Sequence, residues 1–525
     1  MKILKEEKGS ITLFVLLAML FFVMFLVGMY MLSANSESSQ TAETARIKEI
    51  YEQDVDNIDD VYETLVGEKR TKVNAPKLAG GMTPIKWNGT NTVDTNSSDK
   101  EWYNYVDTSI QGQTSTSKWA NARTKDGSMW VWIPRYAYKI TYANASDKSA
   151  GGTIDVVFLQ GTSNKDFNGN DVTSSTYVDE KGSTGAYIVH PAFTDESSNG
   201  YANGGWDSEL TGFWVAKFEA GYEGTVGDKS SATDSNVALS VIFQWNGTTG
   251  VDLTTNYYGT RAIGDKIKYP VFKANCPSMN NLGISDAYDL CLDIKNGTSV
   301  YGLSNVDSHM LKNSEWGAVA YLTHSKYGRN GQEVTINNVS ANNTNTIHAV
   351  TGYGASSTNA STDTSRTLAT LLTENQAGSW TTTQGQTASS TGNIYGIYDL
   401  SGGTWEWTAG YIASGDSYTS YGGSLKGDST KYKTKYVGTS DTDTINYNMN
   451  LNPTRLGEAI WETSSGGTGF KSWNGDYSNF WINTRSFSVR SGAWSNTSGA
   501  GVFTFLSGNG FCVHDVGFRP VLVAE

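Results

Sequence analysis

The sequence predicts an α+β domain standing behind an apolar N-terminal segment and a short polar helix. Composition is the first observation: charged residues make up only 17%, while Gly reaches 56, Trp 16 and Tyr 29. That mix suits a loop-rich, aromatic-cored globular chain rather than a coiled coil or a disordered tail. Second, short runs of β-branched and aromatic residues stand between turn formers and read as strands. Third, two later segments carry caps and apolar faces that read as helices. At 525 residues the chain can bury a substantial core. Its net charge of −13 offers no basic stripe for phosphates, which argues against a nucleic-acid surface. Three cysteines cannot build a disulfide framework. Cys276 and Cys291 read as two separate thiols, with a disulfide between them as the alternative, and Cys512 stands apart.

From Ile11 to Leu32 no residue is charged, and the run matches the roughly 20 residues that span a bilayer. Lys2, Lys5 and Lys8 precede it, so the positive-inside rule places the N-terminus in the cytoplasm and Ala34 to Glu525 outside. A cleaved secretory signal is the alternative; its apolar region is usually only about 7–15 residues long. Next, Ile47, Tyr51, Val55, Ile58, Tyr62 and Leu65 fall on one helical face, as in a packing stalk or a short coiled-coil seam. The expected organisation is a transmembrane anchor over 1–34, a helical stalk over 35–70, and a β-rich region over 71–210 that partly begins the main domain. The main domain follows over 211–525. The expected localisation is a single-pass cell-membrane protein with a large extracellular domain on a bacterial surface.

After Arg70 the strands come in order: Met129–Ile133, Ile154–Phe158 and Phe213–Phe218. Ser285–Leu292 reads as a helix with Asp286 near its start, where the dipole favours it. Lys312–Leu322 reads as a second helix, with Asn313 or Ser314 as its cap. The Ser/Thr-rich stretch from Thr351 to Gly392 reads as a surface excursion.

Several of these residues resemble known families. Lys8-Gly9-Ser10-Ile11-Thr12-Leu13 resembles the start of a type IV pilin, which is cleaved after the Gly; pilins place a Glu where this chain has Phe14. Ser285–Cys291 and Asn313–Trp316 are similar to the helices of the formylglycine-generating-enzyme, or sulfatase-modifying-factor, domain. Gly392–Trp407, with Gly402-Gly403-Thr404-Trp405-Glu406-Trp407 at its end, resembles that family's central signature. Arg490–Trp494 and Gly517-Phe518-Arg519 resemble its closing motifs. The resemblance implies a C-type-lectin-like fold over roughly Thr211 to Val523, with Met129–Tyr138 supplying an earlier strand. As core, Trp316, Trp405, Trp407 and Trp494 are large hydrophobes whose indole N–H needs one partner. Glu406 and Arg519 are placed to form a buried bidentate pair.

The family's oxidases bind copper through a pair of nearby cysteines just after the Arg-Gly-Gly-Ser-Trp type motif. Here Ser495 to Phe503 holds no Cys, and Cys512 has no partner within a few residues. A lone thiolate is a poor copper(I) ligand set. His190, His309, His324, His348 and His514 show no pair at metal-ligand spacing. One calcium loop of the family uses an Asn where Gly403 stands. No catalytic residue, metal or cofactor is expected.

Arg490 to Arg519 also resembles the variable region of C-type-lectin-like target proteins of diversity-generating retroelements. There, Asn codons randomised at adenines cannot yield Lys, Glu, Gln, Met or Trp, and none of these occurs from Ser495 to Asp515. The expected ligand-binding positions are Ala493, Ser495, Asn496, Ser498, Leu506, Ser507, Asn509, Phe511, Val513, His514 and Asp515, with Trp494, Phe503 and Phe518 buried beneath them. Three functions follow. The first is a tethered, non-catalytic ligand-binding protein, adhesin or receptor, with an unknown protein or glycan partner and no nucleic acid. The alternatives are a minor pilin and an oxygen-dependent enzyme of the formylglycine-generating type.

Overall fold

The structure, a computed structural model, describes residues 19–22, 24, 73–106, 117–195, 204–221, 270–280, 282–296, 298–343, 346–412, 421–436, 455–464, 471–482, 484–511 and 515–525. Backbone contacts divide the chain into two units, Met1–Arg70 and Thr71–Glu525. In the first unit the expected single-pass membrane localisation is corrected: among the described residues no helix is long and apolar enough to cross a membrane. Of the run from Ile11 to Leu32 only Met19–Phe22 and Met24 are described, as exposed helical residues. The rest of that run, the pilin-like start and the whole stalk over 35–70 lie outside the described residues.

The second unit is built mostly of sheets, with few helices. Its largest sheet has seven antiparallel strands. They are β1 (Thr83–Trp87), β2 (Thr92–Asp94), β3 (Asn121–Arg123), β4 (Met129–Pro134), β8 (Gly212–Ala216), β9 (Val306–Met310) and β17 (Pro520–Ala524), in the spatial order β2-β1-β3-β4-β8-β17-β9. A smaller sheet joins β5 (Tyr136–Tyr142) to β6 (Gly152–Phe158) and β7 (Ile188–Val189), and β10 (Ser340–Asn343) pairs with β11 (Thr346–Ala349) as a hairpin. A further sheet runs β13 (Thr434–Tyr436), β12 (Trp405–Ile412), β14 (Phe487–Ser491), β15 (Gly501–Gly508), with β16 (Val516–Phe518) also paired to β12.

The three strand segments read from the sequence are strands here, and for β4 and β8 the large sheet explains why the apolar runs are unbroken. Side chains alternate between faces. On β4 and β8, Trp130, Trp132 and Trp214 enter one apolar cluster, while Val131, Ile133, Phe213 and Val215 enter another. Both faces are therefore covered, and each of the smaller side chains adds about 1.5–3 kcal/mol of burial.

Helix α1 (Ile284–Asp293) lies against β9, with Asp286 in its first turn. Helix α2 (Asn313–His324) is buried along its whole length, against β6 on one side and β12 on another. Its cap differs from the Asn or Ser expected: Lys312 holds the N-cap position, and its N–H donates to Glu315 Oε2 at 2.8 Å. Asn313 is spent elsewhere, its Nδ2 donating to Tyr436 Oη at 2.8 Å and Ser488 Oγ at 3.1 Å. The Thr351–Gly392 stretch is no mere surface excursion. Tyr353, Leu368 and Leu371 form a small core with Val339 and Val350, and Trp380 and Ala388 pack with Phe218, Ile394 and Tyr398. Its apolar residues are sparse, and Ser and Thr around them masked the pattern.

Candidate functional site

The β12-β14-β15 sheet has two unlike faces, and alternation along the strands decides what each holds. On one face Trp405 and Trp407 meet Phe487, Val489, Leu506 and Val516 in an apolar cluster. On the other stand Glu406, Thr408, Ser488, Arg490 and Ser507, paired across the strands by register. Of these, Thr408 and Ser488 turn toward α2: Asn313 Oδ1 accepts from Thr408 Oγ1 at 3.1 Å and from Ser488 Oγ at 3.2 Å. Arg490 is fully buried and stacks over Trp316 and Phe505, its guanidinium centre 5.4 and 5.8 Å from the two rings. Burial pushes its pKa down to about 9.

Behind Trp405 and Trp407 the motif residues form the expected scaffold. Arg519 Nε donates to Glu406 Oε2 at 2.9 Å and Nη2 donates to Oε1 at 2.7 Å, with both side chains fully buried. Two of the remaining guanidinium protons go to the carbonyls of Ala216 at 2.7 Å and Tyr398 at 2.9 Å. Glu219 accepts from Thr404 N at 2.8 Å and Thr404 Oγ1 at 2.6 Å, and also from Ser278 Oγ. Burial pushes the Glu219 carboxyl well above the usual range, and the nearby Asp399 and Glu406 carboxylates add to it. Burial alone would lower the Arg519 pKa, but the surrounding Glu406, Asp399 and Glu219 carboxylates reverse that and raise it. Gly403 has φ +72°, and a Cβ there would stand 2.9 Å from Glu219 Oε2. Glycine at this point leaves room for the Glu219 carboxylate. Trp316 Nε1 donates to the Val502 carbonyl at 2.7 Å and Trp407 Nε1 to the Leu282 carbonyl at 3.0 Å, so both indoles have the partner they need.

In front of that scaffold the apolar face opens into a cavity of about 230 Å³. Leu506, Ser507, Asn509, Phe511 and Asp515 of the expected contact positions line it together. Leu506 projects onto the Trp407 face; Gly508 lies beside the Trp407 ring, where a Cβ would come within 2.5 Å of it. Ser507 contributes from its other side: it is 4% exposed, and its Oγ is buried and unbonded among the described residues. The rim is held from behind, because the Gly510 carbonyl accepts from Ile284 N at 2.9 Å, at the first turn of α1. Phe511 sets its ring 5.9 Å from Tyr421, which is 44% exposed.

The other expected positions do not join the cavity. Ala493 is buried, at 1% exposure, because it packs into the core under Trp494. Ser495 and Ser498 are exposed on the following turn, and Asn496 ties that turn by accepting from Ala493 N at 2.6 Å. Val513 and His514, with Cys512 between them and Phe511, lie outside the described residues. Trp494, Phe503 and Phe518 are buried as expected. Trp405, Trp407, Arg485, Val489, Gly508 and Val516 complete the lining and were not named as contact residues. Trp407, Val489 and Leu506 lie directly opposite one another on neighbouring strands, a register that only the fold reveals, and nothing in the sequence marks Arg485.

His190, His309 and His324 and the thiols of Cys276 and Cys291 are buried. His309 Nε2 lies 2.9 Å from Glu315 Oε1, His324 packs on Trp473 and Phe503, and burial pushes His190 down to about 3. Cys276 and Cys291 are separate buried thiols, and burial pushes the Cys291 thiol well up. Among the described residues no three His, Cys, Asp or Glu side chains are grouped to hold a metal ion.

No family model matches the chain, and no curated protein matches it. Among solved structures the chain is similar to the Major Tropism Determinant U1 variant at 13% identity and a TM-score of 0.23, over 86% of this chain and 75% of that one. The P3c variant of the same protein gives 12% and 0.22 over the same shares. Treponema denticola variable protein 1 gives 12% and 0.21, over 60% of this chain and 96% of that one. Likenesses of this size assign the chain to no family.

Proposed function

We propose that the chain is a non-catalytic ligand-binding protein, of adhesin or receptor type, whose residues 211–525, together with part of the β-rich region 71–210, form a C-type-lectin-like domain and whose contact site is the mouth of the Trp405–Trp407 cavity. The observation that carries this reading is the convergence of Leu506, Asn509, Phe511 and Asp515 on one opening. Such a site, apolar below with a few polar groups at the edge, suits recognition. The sequence from 490 to 519 further supports diversification of this rim by a retroelement. A reverse-transcriptase gene beside a near-copy of the segment encoding 495–515 would test that point.

Binding itself is tested with the full chain immobilised and screened against displayed peptides and arrayed glycans. Binders of the parent should be lost by Leu506→Trp, which fills the opening, and retained by Ser495→Ala and Ser498→Ala, which lie outside it. Binders indifferent to Leu506→Trp would move the site elsewhere.

A further inference from the structure

We infer that the cavity takes one tyrosine side chain displayed on the surface of a protein partner; this rests on the reading of the cavity as the contact site. Size is the first constraint. About 230 Å³ lies below the roughly 300–1,000 Å³ of ordinary small-molecule sites, so the opening holds one ring and not an extended ligand. The floor is the second. Val489, Leu506 and the two indoles are apolar, and the Trp407 N–H is already committed to the Leu282 carbonyl. A sugar lying flat on that floor would lose water from several hydroxyls and could regain hydrogen bonds only toward the rim, where Arg485, Asn509 and Asp515 stand. A flat apolar ring loses nothing there and gains burial.

The rim narrows the choice further. Arg485 and Asp515 both line the opening, one a donor and the other an acceptor. A phenol is complementary to both charges, since its O–H donates to a carboxylate while its oxygen accepts from a guanidinium. Phenylalanine offers a hydrogen bond to neither group, and an indole can only donate. The half-exposed Phe511 and the exposed Tyr421 beside the mouth then favour a partner-borne tyrosine over the free amino acid. A protein surface around the tyrosine would cover those two rings, the arrangement typical of an anchor residue ringed by weaker contacts.

The experiment uses the full chain and saturation-transfer NMR with four probes: N-acetyl-tyrosinamide, N-acetyl-phenylalaninamide, the capped peptide Ala-Tyr-Ala and methyl glucoside. The expected order is the peptide tightest, then tyrosinamide, then phenylalaninamide weaker by about tenfold, as loss of a hydrogen bond to a charged group implies. Asp515→Asn should weaken tyrosinamide and leave phenylalaninamide unchanged, and Leu506→Trp should abolish both while the melting temperature holds. Equal binding of the two amides, or no binding of tyrosinamide, overturns the tyrosine assignment. Glucoside binding that Leu506→Trp abolishes, without tyrosinamide binding, overturns the ligand class and keeps the cavity. Tyrosinamide binding that survives Leu506→Trp in a folded variant overturns the cavity as well.

Discussion

Replacing Arg519 with Met tests the buried ion pair at the centre of the domain. The guanidinium makes four hydrogen bonds in the structure: two to Glu406 and one each to the carbonyls of Ala216 and Tyr398. Methionine fills much of the volume and supplies none of them. Glu406 would then lie fully buried without its partner, in a region that already holds Glu219 and Asp399. Removing one member of a buried pair costs about 3–5 kcal/mol, and the crowd of carboxylates puts this case at the upper end. Glu406→Leu with Arg519→Met should be milder than the sum of the two single changes, by at least about 2 kcal/mol, because no charge is left stranded. Urea unfolding at pH 7, followed by far-ultraviolet circular dichroism, measures all four corners of the cycle. There is also a sign to check with pH. Burial raises the Glu406 pKa in the folded protein, and losing Arg519 raises it further. A raised carboxyl favours the fold only while protonated, so the single variant should lose stability more steeply than the parent as pH rises above the unfolded value. An Arg519→Met cost below about 1 kcal/mol, or a double variant no better than additive, would refute a structural ion pair here.

Four further outcomes follow from the same contacts. Trp494→Ala should cost about 3–5 kcal/mol in thermal melts, as a buried aromatic truncation does, whereas Ser495→Ala and Ser498→Ala should stay within about 0.5 kcal/mol. Gly403→Ala forces an L side chain to φ +72° and against the Glu219 carboxylate, so it should destabilise by about 1–3 kcal/mol, read by the same melts. Burial pushes Glu458 up to about 7 from its ordinary 4.5, so its contribution to stability is full below about pH 4.5 and lost as pH rises through about 7. Glu458→Gln should flatten that fall in a series of urea titrations, and an unchanged pH profile would count against the assignment. His190, pushed down to about 3 by burial, acts with the opposite sign: stability is present above the ordinary 6.5 and is lost as pH falls toward 3, and His190→Phe should flatten the acid limb.

Much of the domain was legible because its motifs encode burial. The alternation of Trp130 and Trp132 with Val131 and Ile133 sends adjacent residues into two cores, and a strand covered on both faces reads as one apolar run. The Glu406–Arg519 pair was legible from charge placed among aromatics. Less visible was anything set by a distant neighbour. Asn313 looks like a cap locally, yet Tyr436 and Ser488 claim its side chain from remote parts of the sequence. Ala493 sits in a loop beside exposed serines, and only its packing under Trp494 shows that it is core. Of the candidate site, Phe511 to Asp515 stands out in the sequence because its mix of apolar and polar residues has no periodicity. Arg485 does not, since it reaches the same opening from the start of another strand. The membrane helix failed for a different reason: hydropathy alone suggested a span that no helix among the described residues has the length to make.

Strand β17 pairs with β8 through Val521 and Val215, and with β9 through Val521 and His309. Two segments far apart along the chain are thus joined by a third that is synthesised after both. Until it arrives, β8 and β9 each carry a row of unsatisfied backbone groups toward a gap, the kind of edge that recruits strands from other molecules. Pairings of such long sequence separation also form slowly. The chain is therefore most vulnerable while its central sheet is complete except for the strand that joins β8 to β9. A peptide copying residues 520–524 added in excess at that stage would compete for the slot and trap the chain unfinished.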